Sequence, residues 1–271
     1  LYVDKTDLIW ELTHRGKKKY HYLSRPRRFG KSVLVDTLQA YFEGEKRLFE
    51  GLKIMDLEEE WTQYPVIRLD MSRGGATVVE LRAYLDRVFS KYEDKYGIAT
   101  KTDATLSNRF DAIITTAYEQ TGHQVVILVD EYDSPLQHSW KTPEHEGCTE
   151  VYRSVFAILK ADDVYERFVF ITGITKFTQI SLFSVLNNLG NISFEPQFAA
   201  ICGITKEEVA ENFMPEIEQM GKENGWDTEE TIMQLKSYYD GYHFSRRNMV
   251  DVFNPFSLIN ALSDMDLKNY W

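Results

Sequence analysis

Only two cysteines, Cys148 and Cys202, occur in the 271 residues, and no paired spacing links them, which excludes a disulfide framework and a zinc cluster. Long apolar runs are missing as well. The longest are strand-sized, far below the roughly 20 residues that cross a bilayer, and no signal-peptide pattern opens the chain. Positive charge is scarce: 31 Lys and Arg stand against 42 Asp and Glu, a net charge of −11, so the surface as a whole is no nucleic-acid footprint. Any such contact has to be local. Internal repeats and low-complexity tracts are also absent, and reduced cysteines without a membrane segment lead to the expectation of a cytoplasmic protein. The chain opens on Leu1 rather than methionine and its last helical pattern runs into Trp271 without a cap, so we expect a fragment of a longer polypeptide.

At 43% apolar composition the chain is long enough for one large α/β unit and a smaller appendage. Tyr20 to Leu23 forms a short strand that delivers Ser24-Arg25-Pro26-Arg27-Arg28-Phe29-Gly30, after which Lys31 begins a helix with apolar residues Val33, Leu34, Leu38, Tyr41 and Phe42 at helical spacing. Further strands are predicted over Val66 to Asp70, Val125 to Asp130 and Phe168 to Thr172, and helices over about 78–96, 108–121 and 149–160. Solidly apolar strands alternating with helices indicate a parallel sheet covered on both faces. The segment from Ser134 to Gly147 reads as a long loop. From about Thr205 the strand signal disappears, and helices over 205–214, 228–239 and 255–262 suggest a lid, which places the division at residues 1–202 and 203–271.

Gly30-Lys31-Ser32, followed about a hundred residues later by a buried strand ending in Asp130-Glu131, supplies the two halves of a nucleoside triphosphate site. Lys31 reaches the β and γ phosphates, Ser32 and Asp130 hold magnesium, and the backbone from Arg27 through Phe29 and Gly30 to Val33 cradles phosphate at the helix amino end. Glu131 is the candidate base for the attacking water. One of Arg27 and Arg28 is a candidate for touching phosphate or a regulatory acid, the alternative being solvated loop charges. Thr172 and Thr175, at the end of the following strand, either sense the γ phosphate or close a strand-end turn. Asp133 shapes the loop with Ser134 and Pro135. The first glycine of the usual Gly-x-x-x-x-Gly-Lys-Ser pattern is replaced by Arg25, a weakening that Pro26 partly offsets by fixing its φ.

This set of residues resembles the AAA-ATPase-like family found widely in bacteria, whose members carry the phosphate loop as the string that runs unbroken here from Arg25 to Ser32. Tyr2-Val3-Asp4-Lys5-Thr6, Pro65 to Asp70, Asp130 to Pro135, Phe170 to Thr175, Leu186-Asn187-Asn188-Leu189 and Tyr239-Asp240-Gly241-Tyr242 match other signatures of that family, so the resemblance covers essentially the whole chain. It implies that Arg25 is the family's usual residue, that the fold is an α/β P-loop NTPase, and that the ligand is ATP. It also implies a PD-(D/E)xK nuclease-like domain beyond the carboxyl end, through which alone nucleic acid would be contacted.

The reading is therefore Mg-dependent ATP binding and hydrolysis by a P-loop domain with a mainly parallel sheet, helices on both faces and a C-terminal helical lid, with no membrane contact and homo-oligomerisation left open. An ATP-gated scaffold with little turnover and a small-molecule kinase using Glu131 on a substrate hydroxyl are the alternatives. No guanine-reading Asn-Lys-x-Asp segment is present. Glu93-Asp94-Lys95, with Asp70 upstream, has a nuclease-like spacing but falls on a helical pattern, so it reads as surface charge. His145 and Cys148 lack the further ligands zinc needs. Arg246 and Arg247 are candidates for a lid arginine, and Tyr238, Tyr239, Tyr242, Phe244 and Phe253 for the core of the lid.

Overall fold

The computed structural model describes residues 2–15, 18–99, 104–174, 189–245 and 250–270. Five strands, β1 (Tyr20–Ser24), β2 (Val66–Asp70), β3 (Val125–Asp130), β4 (Glu166–Gly173) and β5 (Gly190–Asn191), form one sheet in the order β2-β3-β4-β1-β5. Every pairing in it is parallel. All six residues of β3 are buried, as expected of a strand covered on both faces.

Because side chains alternate across a strand, each strand feeds two cores at once. Tyr20, Tyr22, Ile67, Leu69, Ile127, Val129, Val169 and Ile171 pack under α3 (Val78–Tyr96), α4 (Leu106–Thr121) and α6 (His145–Phe156). Leu23, Val66, Val126, Leu128, Phe168 and Phe170 point the other way, against α1 (Thr6–His14) and α2 (Lys31–Phe42). A strand that slipped by one residue would exchange the two sets, so the register is strongly specified.

The ends of the helices follow from local chemistry. Thr77 and Glu80 form a reciprocal capping box at the start of α3, and Gly97 ends it at φ 64°. Glu93, expected as surface charge, is buried on α3 and takes a two-pronged ion pair from Arg109 of α4, at 2.7 Å for each of Nε and Nη2. The nuclease-like tripeptide is thus part of a helix and its glutamate a packing device, since a carboxylate with a matched guanidinium can be buried where a lone one cannot.

Two other expectations are revised. The segment after β3 is not one loop: Ser134–His138 forms a short helix, α5, with Pro135 in its first turn, and α6 begins at His145, four residues before the sequence pattern suggested. After α7 (Ile158–Ala161), the region beyond residue 203 is not purely helical. There β6 (Ile204–Thr205), β7 (Tyr242–His243) and β8 (Asp251–Phe253) make a three-stranded antiparallel sheet in the order β6-β8-β7. Around it stand α8 (Lys206–Asn212), α9 (Met214–Asn224), α10 (Thr228–Tyr239) and α11 (Pro255–Asp264), which share a core of their own built on Val209, Ile217, Met220, Leu235, Phe253 and Leu258.

Candidate functional site

Pairing of Leu23 with Thr172 and of Val129 with Ile171 places β4 between the strand that feeds the phosphate loop and the strand that ends in the acid pair. The Arg25 amide continues the β1–β4 ladder by donating to the Gly173 carbonyl at 3.2 Å, so the loop crosses directly over the end of β4. The two halves read from the sequence therefore meet at the carboxyl edge of the sheet, where open α/β sheets place their ligands.

Gly30 caps α2 at φ 87°, a conformation costly for any residue with a β-carbon, and the space a β-carbon would enter is open to 4 Å. No acidic residue occupies the first turn of α2, so its amino end is available to an anion. Lys31 is buried, and its ammonium donates to the carbonyls of Arg25 at 3.1 Å and Pro26 at 3.0 Å. Burial lowers its pKa, an effect opposed chiefly by the charge of Glu131 and also by Asp130 and Asp133. These couplings place the ammonium within electrostatic reach of the acid pair.

Thr172 is fully buried and organises that pair. Its hydroxyl donates to Asp130 Oδ1 and accepts from the Glu131 amide at 3.1 Å, while its carbonyl takes the Tyr132 amide at 2.9 Å. Glu131 sits at φ 47°, strained for a non-glycine residue, and this web holds it there. Its side chain has no hydrogen-bond partner among the described residues. Burial raises the Glu131 pKa, Lys31 pulls it back, and Asp130 raises it further. Asp133 accepts from the Ile174 amide at 3.0 Å and from Gln137 Nε2 at 2.7 Å, which fastens α5 to the end of β4.

The donor set suits a hard cation. Asp130 Oδ2 and the exposed Ser32 hydroxyl carry no hydrogen bond among the described residues, and one carboxylate plus one hydroxyl, completed by phosphate oxygens and water, is an ordinary magnesium environment. No group of three or more His, Cys, Asp or Glu able to hold a metal by itself occurs among the described residues, His145 and Cys148 included.

Arg25 does not face a ligand. Only 1% exposed, its guanidinium donates to the carbonyls of Ser24 at 2.9 Å, Ser193 at 2.8 Å and Phe198 at 3.0 Å, and it lies 3.9 Å from the Phe244 ring centre. Burial brings its pKa down to about 10. Arg28, at φ 64°, donates to the Tyr270 carbonyl at 2.9 Å and lies over the Phe256 ring at 4.2 Å. Phe29 packs edge-on against Tyr242 and Phe244, and its carbonyl accepts from the Gly203 amide. Arg27 is exposed and without a partner among the described residues. Thr175, Arg246 and Arg247 lie outside the described residues, as do Leu186, Asn187 and Asn188.

Beside Gly30 and Val33 opens a largely apolar pocket of about 150 Å³, lined also by Tyr2, Lys5, Cys202 and Ile259. A cavity of that size takes up a benzene ring. No local pattern announces it, because its walls come from the opening segment, from α2 and from the region beyond residue 200. Lys5 in its wall is bonded to Glu208 at 2.6 Å.

A lysine-bearing phosphate loop and an acidic strand end, separated by one inserted strand of a parallel sheet, define a P-loop nucleoside triphosphatase fold. Residues 1–183 match the family described as Predicted AAA-ATPase, and the chain belongs to that family. It is 34% identical over its whole length to the Azotobacter chroococcum mcd 1 protein described as "Uncharacterized protein in vnfD 5'region", of which it spans 50%. Among solved structures, the chain is similar to the Aeropyrum pernix ORC2 protein in its ADPNP-ADP complexes, at 14% identity and a TM-score of 0.45, over 88% of this chain and 63% of that one. A weaker likeness links it to Cdc6p from Pyrobaculum aerophilum, at 12% identity and a TM-score of 0.38, over 79% and 50%. No helix among the described residues is long and apolar enough to cross a membrane.

Proposed function

We propose that this chain binds ATP with magnesium and hydrolyses the β–γ phosphoanhydride bond. The observation that carries this reading is the triad of Thr172, Asp130 and Glu131 held at the sheet edge within electrostatic reach of Lys31. In this assignment the base of ATP lies in the apolar cavity beside Val33, the phosphates lie on the amides from Arg27 to Val33, and Lys31 exchanges its two carbonyl partners for phosphate oxygens. Ser32 and Asp130 hold the metal, which would neutralise charge that develops on the phosphates. Glu131, whose carboxylate has no hydrogen bond among the described residues and whose pKa burial raises, takes a proton from the attacking water. Thr172 acts through Asp130 as a positioning residue.

The unit from residue 203 onward serves as the lid in this proposal, and the partner that the family resemblance suggests, a nuclease-like domain, follows it in a longer chain. Association of several copies belongs to the same proposal. Calorimetric titration with ATP and GTP, joined to a phosphate-release assay on one sample, tests the reading. Lys31→Ala should abolish binding, whereas Glu131→Gln should keep affinity within about threefold and lower turnover by about a hundredfold or more. Equal loss of both activities in the two variants contradicts the assigned roles.

One observation favours a gated scaffold as a second reading: Arg25, Arg28 and Phe29 of the loop are all engaged by residues from 193 onward. Retained binding with near-zero phosphate release would support it.

A further inference from the structure

Arginine beside a phosphate loop is expected to face phosphate, but Arg28 faces the last residues of the lid. Its guanidinium donates to the main-chain carbonyl of Tyr270 and stacks over Phe256 of α11. The segment it holds is also tied to the lid: the Asp266 amide reaches the Ala261 carbonyl at 3.2 Å, the Tyr239 hydroxyl both donates to the Lys268 carbonyl and accepts from the Lys268 amide, Asn224 donates to the Met265 carbonyl at 3.1 Å, and the Tyr270 hydroxyl donates to Asp264 at 3.0 Å. Arg28 thus ties this segment to the phosphate loop.

Both ends of that tie are weak competitors for a cation once an anion arrives. A neutral carbonyl and a ring face attract a guanidinium less than phosphate oxygens do, which accept two parallel charge-assisted bonds. Arg28 is two residues from Gly30, it is exposed, and its φ of 64° is a conformation that a non-glycine residue leaves readily when its partners change. We propose that Arg28 is a latch, holding the segment from Met265 to Tyr270 against the phosphate loop and releasing it when a nucleoside triphosphate occupies that loop. Occupancy is thereby reported at the end of the lid. The inference rests on the nucleotide-site reading, and only its release step depends on it.

Hydrogen exchange of the peptide covering residues 262–270, measured in the full-length protein, decides the matter. Without nucleotide, Arg28→Ala, Arg28→Lys and Phe256→Ala should each speed exchange at the Asp266 and Lys268 amides by about tenfold, the equivalent of one charged hydrogen bond. In the parent protein, magnesium with a non-hydrolysable ATP analogue should produce the same acceleration, and in Arg28→Ala it should add nothing. A general loosening of the fold would speed α3 and α4 as well, which this proposal does not allow. Unchanged exchange in all three variants overturns the latch. Bound analogue, verified calorimetrically, with residues 262–270 still protected overturns the release. Failure of the analogue to bind at all overturns the nucleotide-site reading together with the release step, while the variants without nucleotide still decide the tie.

Discussion

Replacing Arg25 by glycine would restore the usual first glycine of the phosphate loop, and a sequence pattern alone recommends the change. The structure predicts harm. The guanidinium satisfies the carbonyls of Ser193 and Phe198, more than 165 residues away, and packs on Phe244. Removing it forfeits, besides the local bond to the carbonyl of the adjacent Ser24, those two long-range hydrogen bonds to a charged donor, about 1.5–3 kcal/mol each, and a desolvated cation–π contact of about 2 kcal/mol. Against that stands relief of burying the charge: a pKa drawn from 12.5 to about 10 corresponds to about 3 kcal/mol at 1.36 kcal/mol per unit. The net loss is about 3 kcal/mol, with unsatisfied carbonyls pushing it higher and water entry lowering it. For a urea m-value of about 3 kcal/mol/M, the unfolding midpoint should fall by about 1 M. Arg25→Lys should recover only part of this, because one ammonium lacks the fork that reaches both carbonyls. A midpoint for Arg25→Gly within about 0.2 M of the parent refutes the reasoning.

Thr172→Val keeps the shape of the side chain but leaves the Glu131 amide and Asp130 Oδ1 without their shared partner, so stability should fall by about 2 kcal/mol and phosphate release should suffer more than ATP affinity. Arg27→Ala should weaken ATP binding severalfold without altering the urea midpoint, since nothing described holds that side chain; calorimetry and a urea titration separate the two. Glu166 is fully buried at the opposite end of β4, where burial raises its carboxyl from 4.5 to about 8 despite the Tyr20 hydroxyl, which donates to it at 2.6 Å. A folded value above the unfolded one means that folding takes up a proton between them, so this contribution is complete below pH 4.5 and is lost as pH rises through 8. Glu166→Gln should flatten that decline by a few kcal/mol, read as urea midpoints measured from pH 5 to 9.

The core strands were legible because parallel strands covered on both faces need unbroken apolar runs, and Val125 to Val129 leaves no other use for its residues. The helix over 78–96 agreed with its pattern to the residue, fixed by Thr77 and Glu80 at one end and Gly97 at the other. Where the pattern failed, a proline or short length was the reason. The single helix expected over 205–214 ends at Asn212, and a new one begins at Met214 with Pro215 in its first turn, where the missing N–H costs nothing. The strands β6, β7 and β8 are two or three residues long, too short for a period of two to register. At the site, Gly30, Lys31, Ser32, Asp130 and Glu131 announce themselves through local chemistry. The engagement of Arg25 and Arg28, the pairing of Glu93 with Arg109 and the walls of the cavity depend on partners brought together only by folding, and no local signal carries them.

Lys31 clasping the carbonyls of Arg25 and Pro26 has a consequence for the energetics of capture. A bare glycine-ended loop would wander among many shapes, and an incoming anion would have to freeze it. Here one internal cation pins the ring beforehand, so the entropy of ordering is spent during folding and, on the proposed function, an arriving phosphate would need only to take over two contacts already made.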